Sequence, residues 1–269
     1  MPTHESKVEL AVDGEHIAGT LIAPATTIPG LLCVHGWGGS QQQYLARARE
    51  IAALGCISLT FDLRGHARNE PQQACVTRED NLRDVLAAYD ELRSHPSVDE
   101  TAIGIVGSSY GGYLAAILTT LRPVRWLALR VPALYEDANW DMPKKQLHKA
   151  ADLHAYRRRE VHPGENRALH ACARFKGDVL VVESEHDDIV PHRTIENYLE
   201  ACTHAHSLTY RVIAGADHGL SHAPAQRAYT GILVNWLTEM VFGARAGTST
   251  AHGAARSGAA TPTREPHPG

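Results

Sequence analysis

The sequence has no run of about 18 apolar residues, so a membrane-spanning helix of ordinary length is not expected. It also lacks a basic excess: 26 Lys and Arg stand against 30 Asp and Glu, for a net charge of −4. That balance offers nothing to nucleic acid or to an anionic membrane surface. The five cysteines, at 33, 56, 75, 172 and 202, include no CxxC pair. They are odd in number and widely spaced, and Cys33 and Cys56 lie inside apolar runs. They read as reduced thiols and point to a cytoplasmic protein. The opening MPTHESKVELAVDGEH has no apolar segment after a basic start, so no secretory signal is expected. Seventeen histidines are present, yet HExxH and paired Cys/His spacings are missing. No metal and no other cofactor is expected on that ground.

What is present alternates. KVELAV and HIAGTLIA read as two strands around the turn DGE. GLLCVHG, CISLTFD, AIGIVGS, VRWLALRV, DVLVVES and LTYRVI read as further strands, several of them continuous apolar runs of the kind buried on both faces. Helices are expected from about Gln42 to Leu54 and over TREDNLRDVLAAYDELRSH, where Thr77 and Asp80 stand like a capping box. Others are expected over YGGYLAAILTTL, from about Thr194 to Cys202, and from about Pro224 to Met240. Strands alternating with helices predict an α/β fold. Its sheet is mostly parallel, is flanked by helices, and binds ligands at the carboxyl ends of its strands. Residues 135–176 are too long for one crossover helix and read as a small helical cap insertion over that rim. The core is then residues 1–134 and 177–242. Residues 243–269, rich in Gly, Ala, Ser, Thr and Pro, are expected to be disordered.

Chemistry enters at GIVGSSYGG. The pattern Gly-x-Ser-x-Gly fits one register only: Gly107, Ser108, Ser109, Tyr110, Gly111. A strand turning at once into a helix puts the central residue at positive φ, and small residues two places either side let the chains pass. Ser109 is therefore the candidate nucleophile. A hydroxyl needs a base, and the base needs an orienting acid. VLVVESEHDDIVP ends a later strand with four acidic residues, and RVIAGADHGLSH ends the last strand with His218. The order serine, acid, histidine is the one expected behind such an elbow, and each residue follows a different strand. VHGWGGS, between a strand and a helix, has the glycines for a tight loop with inward N–H groups. The N–H groups of Trp37 and Tyr110 would form an oxyanion hole.

These marks together, HGWGG, FDLRGHARN, GSSYGGY, HDDIVP and ADHG, resemble the α/β-hydrolase superfamily over roughly residues 1–242. Within it the chain is most similar to short bacterial serine hydrolases of the dienelactone-hydrolase and acyl-peptidase-like groups. The resemblance implies the α/β-hydrolase fold. Through the spacing D-x-x-V-P it implies Asp187 as the acid, with Asp188 as the alternative.

Other residues keep two readings. Asp62 and Arg64 read as loop ties. Arg130 reads as half of a structural ion pair or as an anchor for a substrate carboxylate. Tyr135 and Trp140 line an acyl pocket or pack the cap. Lys and Arg outnumber Asp and Glu in residues 135–176, which reads as a solvated helix face. The expected activity is hydrolysis of carboxylic esters of small to medium acyl groups, through an acyl-enzyme on Ser109. The alternatives are an amide or peptide hydrolase with the same residues and a non-catalytic ligand-binding member of the fold. The expected partner is a small-molecule ester, and the sequence does not fix the oligomeric state.

Overall fold

A computed structural model of the chain describes residues 3–12, 15–24, 27–150 and 152–256. β1 (Thr3–Val12) and β2 (Glu15–Pro24) form an antiparallel pair, Thr3 opposite Pro24 and Val12 opposite Glu15. Asp13 and Gly14 of their expected turn lie outside the described residues. Then follow β3 (Ile28–Val34), α1 (Gln42–Ala53), β4 (Ile57–Thr60) and α2 (Arg78–Ser94). Next come β5 (Val98–Ser108), α3 (Tyr110–Leu118) and β6 (Trp126–Arg130). α4 (Lys144–Ala150), α5 (Leu153–Arg158) and α6 (Arg167–Arg174) fill the connection to β7 (Asp178–Ser184). α7 (His192–Ala201), β8 (Ser207–Ile213) and α8 (Ala223–Arg256) complete the order. Strands β3 to β8 make one parallel sheet in the order β4-β3-β5-β6-β7-β8.

The continuous apolar runs form this sheet because alternate side chains leave it on opposite faces and both faces are covered. Leu32, Val34, Leu127, Leu129, Val179 and Val181 pack on one side with α2, α3 and α7. Leu31, Cys33, Trp126, Ala128, Leu180 and Val182 pack on the other with Tyr44 and Ile51 of α1 and Leu233 and Trp236 of α8. α2 begins where the sequence places it. The Thr77 hydroxyl accepts from Asp80 N–H at 3.0 Å, and the Asp80 carboxylate accepts from Thr77 N–H at 3.0 Å, which satisfies two N–H groups the first turn leaves open.

Register gathers the strand ends. Val34 lies opposite Gly107, Ser108 opposite Arg130, Arg130 opposite Val182, and Ser184 opposite Ile213. Residues just past β3, β5, β7 and β8 therefore meet at one rim. The connection of three short helices between β6 and β7 falls within residues 135–176. The last helix runs to Arg256 rather than ending near Met240, so residues 243–256, expected to be disordered, are helical. Residues 257–269 lie outside the described residues. Among the described residues no helix is long and apolar enough to cross a membrane.

Candidate active site

The turn from β5 into α3 is held tight by its glycines. A Cβ on Gly107 would lie 2.5 Å from the Gly111 carbonyl oxygen, and one on Gly111 only 2.3 Å from that of Val34 and 2.4 Å from that of His35. With the helix seated this close, the chain reverses at Ser109, whose φ is 52° and ψ −117°. That region disfavours side chains, and the neighbours over-determine it. Ser109 N–H donates to the Arg130 carbonyl at 2.9 Å, and the Ser109 carbonyl accepts from Ala133 N–H at 3.0 Å and Tyr113 N–H at 3.1 Å. The two adjacent serines are thereby separated in kind. Ser109 is partly exposed at the rim. Ser108 is buried, and its hydroxyl accepts from the Tyr44 hydroxyl at 2.5 Å and from Arg130 Nε at 3.2 Å.

His218, in the loop after β8, reaches Ser109 with Nε2 3.0 Å from Oγ. Its Nδ1 lies 2.7 Å from Oδ2 of Asp187. The carboxylate only accepts, so Nδ1 carries the proton, and Nε2 is left as the acceptor for the serine O–H. The other carboxylate oxygen, Oδ1, accepts from Ile189 N–H at 2.9 Å and Val190 N–H at 2.8 Å. The Asp187 side chain is 2% exposed, whereas Asp188 faces solvent. The spacing D-x-x-V-P works mechanically: the acid caps the turn that Val190 and Pro191 lead into α7. A hydroxyl, an imidazole and a carboxylate in this line can pass a proton from oxygen to nitrogen and stabilise the resulting imidazolium.

Arg130 explains the placement of His218. Buried at the end of β6, it donates through Nη2 to the His218 carbonyl at 2.8 Å and through Nη1 to Ser184 Oγ at 3.3 Å, besides its bond to Ser108. Its guanidinium lies over the Tyr229 ring at 5.6 Å. Neither sequence reading of Arg130 survives: its bonds run to hydroxyls and a carbonyl rather than to a carboxylate, and it is turned into the protein rather than offered to a substrate. A strand-end arginine among apolar residues cannot disclose which oxygens it will meet.

The loop after β3 closes over the elbow. A Cβ on Gly36 would sit 3.3 Å from that of Ser109, so the backbone entering Trp37 passes beside the serine. His35, 1% exposed, anchors this loop: Nδ1–H donates to the Gly36 carbonyl at 2.8 Å, and Nε2 accepts from Leu63 N–H at 3.1 Å. Burial pulls the His35 imidazole below its ordinary value, so the neutral ring that this pairing requires is favoured. Tyr110 opens α3, and its N–H is among those that no carbonyl of the helix takes up. Tyr110 follows Ser109 directly, and Trp37 follows Gly36, whose backbone passes beside the serine. Asp62 and Arg64 are loop ties, Asp62 to the N–H and side chain of Gln41, both at 2.8 Å, and Arg64 to Asp84 at 2.5 Å.

Tyr135 is buried, edge-on to Tyr110 with centroids 5.7 Å apart. Trp140 donates from Nε1 to Glu79 at 2.6 Å and carries the Arg167 guanidinium over its ring at 4.2 Å. Both pack the connection between β6 and β7. A groove of about 570 Å³ lined by Leu82, Leu86, Ile117, Asp137, Arg167 and His170 contains none of Ser109, Asp187 and His218. Two neighbours of the site escaped the sequence reading. Lys144, one of several cations in a segment read as solvated, is fully buried against Trp37, Tyr110 and Tyr135. His66, read only as part of a loop, is buried edge-on to Trp37 at 4.7 Å. Proline just before Lys144 marks a helix start, and nothing local marks its burial.

Comparison with known proteins agrees with the fold. The profile of the prolyl oligopeptidase family matches residues 42–243. Thiohydrolase aneE of Aspergillus aculeatus is 34% identical over 114 residues, which is 41% of this chain and 36% of that protein. The chain thus spans about a third of that relative's length. Among solved structures, a metagenome-derived lipolytic enzyme (from a study of LipS and LipT) superposes with a TM-score of 0.62 at 18% identity, covering 80% of this chain and 95% of the other. Dienelactone hydrolase from Anabaena variabilis gives 0.58 at 18% identity over 88% and 98%. Those two likenesses establish the α/β-hydrolase architecture.

Proposed function

This chain belongs to the prolyl oligopeptidase family and is an α/β-hydrolase, and from that premise we propose that it is a serine hydrolase cleaving carboxylic esters of small to medium acyl groups. The observation that carries the reading is His218 Nε2 at 3.0 Å from Ser109 Oγ, with Asp187 behind the imidazole at 2.7 Å. Ser109 Oγ attacks the ester carbonyl as its proton passes to Nε2. The carbonyl oxygen gains negative charge and takes hydrogen bonds from the N–H groups of Trp37 and Tyr110, each contributing about 3 kcal/mol to the transition state. As the tetrahedral intermediate collapses, the imidazolium returns its proton to the leaving alcohol and the acyl group stays on Ser109. Water then attacks, losing its proton to Nε2, and the acid departs from a restored serine.

Ester cleavage asks only for this hydroxyl, imidazole and pair of donors. A second reading, amide or thioester cleavage by the same residues, is favoured by the family description and by the thiohydrolase relative. One matched acyl group carried as ester, thioester and anilide separates the two readings, with wild type and Ser109→Ala run side by side. The expected outcome is fastest turnover of the ester, a loss of roughly 10⁴-fold or more in Ser109→Ala, and fluorophosphonate labelling at residue 109 alone. Faster anilide or thioester turnover transfers the reading to that substrate class. Undiminished Ser109→Ala activity ends it.

A further inference from the structure

Lys144 is fully buried at the first position of α4, yet its charge is not turned toward water. Its ammonium lies 4.5 Å from the ring centroid of Trp37, 4.9 Å from that of Tyr110 and 4.6 Å from that of Tyr135. All three fall within the range where a ring face attracts a cation, and the attraction is strongest where water is excluded. The Trp37 and Tyr110 rings also meet edge to face, with centroids 5.6 Å apart. Trp37 belongs to the loop after β3 and Tyr110 to the start of α3, the two segments proposed above to supply the N–H groups of the oxyanion hole.

The lysine itself is held from outside these segments. Its N–H donates to the Val76 carbonyl at 2.8 Å, and Pro143 bridges to Thr77, so α4 is fastened to the chain entering α2. Arg157 of α5 stands over the Tyr135 ring at 5.0 Å, and Arg78 of α2 donates to the carbonyls of Glu136 and Ala138, closing the surroundings. Burial draws the Lys144 ammonium below its ordinary value, opposed by Tyr135. Burial alone would push the Tyr135 hydroxyl up, but the charges of Lys144 and Arg157 outweigh it and hold it down.

We propose that Lys144 is a positioning residue for the oxyanion hole: its ammonium, gripped between the Trp37 and Tyr110 rings, fixes the spacing of the two backbone donors and makes that spacing depend on the seating of α4. The inference rests on the serine-hydrolase reading above. It acts through Trp37 and Tyr110, without contact to substrate. Removing the charge leaves the rings free to shift, and a displacement of about 1 Å is enough to degrade donors that must meet a developing oxyanion.

The test uses Lys144→Met, which keeps the stem and deletes the charge, and Lys144→Arg, which keeps the charge. Both are compared with wild type on p-nitrophenyl butyrate, with active sites counted by fluorophosphonate titration so that turnover is read per folded site. In Lys144→Met kcat is expected to fall between about 10-fold and 100-fold with KM changed by less than about 3-fold. The inhibition constant of a trifluoromethyl ketone, which presents an oxyanion to the same donors, is expected to rise by a matching factor. Lys144→Arg is expected to regain most of the loss. If Lys144→Met does not fold, Lys144→Gln carries the same readouts. A lowered melting temperature with wild-type kcat per titrated site overturns the inference and leaves the hydrolase reading standing. Failure of wild type to label at Ser109 overturns the hydrolase reading itself.

Discussion

Asp187 divides its carboxylate between two tasks: Oδ2 takes the His218 Nδ1 proton at 2.7 Å, while Oδ1 accepts the N–H groups of Ile189 and Val190. The acid is thus fixed in rotation before it orients anything else. Asp187→Asn is expected to lower kcat by about 10⁴-fold, because an amide donating to the imidazole selects the wrong tautomer. Asp188→Asn, on an exposed neighbour, is expected to stay within about 3-fold. Steady-state kinetics on one ester decides between the two acids that the sequence left open, and a reversed pattern would move the acid to Asp188.

Gly111→Ala tests the packing that sets the elbow. The added methyl would meet two backbone carbonyl oxygens at 2.3 and 2.4 Å, neither of which can swing away as a side chain would. The expected loss is about 3 kcal/mol or more, a drop in melting temperature of roughly 6 °C or more. Gly38→Ala is the control. Its φ is 77° with nothing within 4 Å, so only backbone strain of about 1–2 kcal/mol is expected.

Arg130 holds the His218 carbonyl from beneath. Arg130→Met takes this donor from that carbonyl and from the Ser184 hydroxyl and leaves Ser108 with Tyr44 alone, so a loss of about 2–4 kcal/mol in stability is expected. Turnover per titrated site is expected to fall, and the rate ratio between neutral and carboxylate-bearing esters to stay the same. A selective loss on the carboxylate-bearing esters would restore the anchoring role.

His35 makes a prediction about acid. In the folded chain burial keeps its affinity for a proton low, whereas in the unfolded chain it takes one near the ordinary value of 6.5. Between those two points the unfolded chain binds more protons, so stability falls as pH is lowered from about 6.5 and levels once the folded ring charges. Urea midpoints measured from pH 8 to 5 should trace this decline. His35→Gln, which can still donate to Gly36 and accept from Leu63, is expected to flatten the slope only in part. His66, whose proton affinity burial also lowers, supplies the remainder.

The sheet and elbow were legible because their causes are local. An apolar run long enough for a strand, ended by glycine, leaves few options, and Gly107 and Gly111 bracket Ser109 for a steric reason visible in five letters. His218 and Asp187 could be placed because each follows a strand directly, and parallel strands end at one rim. Arg130, Lys144 and His66 were legible as residues but not as roles. Their partners arrive from β5, β7 and the loop after β8, from the loop after β3 and from α3, and local patterning carries no record of such meetings. α8 overran its expected end because its apolar face stops near Met240, while a helix already nucleated can continue through Ala-rich sequence.

Hydroxyl, carboxylate and imidazole enter the rim from three separate stretches of chain, after β5, β7 and β8. A nascent polypeptide emerging from the ribosome therefore carries its serine long before it owns the base. Any burst of recovered turnover after dilution from urea times the docking of the final strand, and the enzyme's own colour reaction becomes a stopwatch for the last stage of assembly.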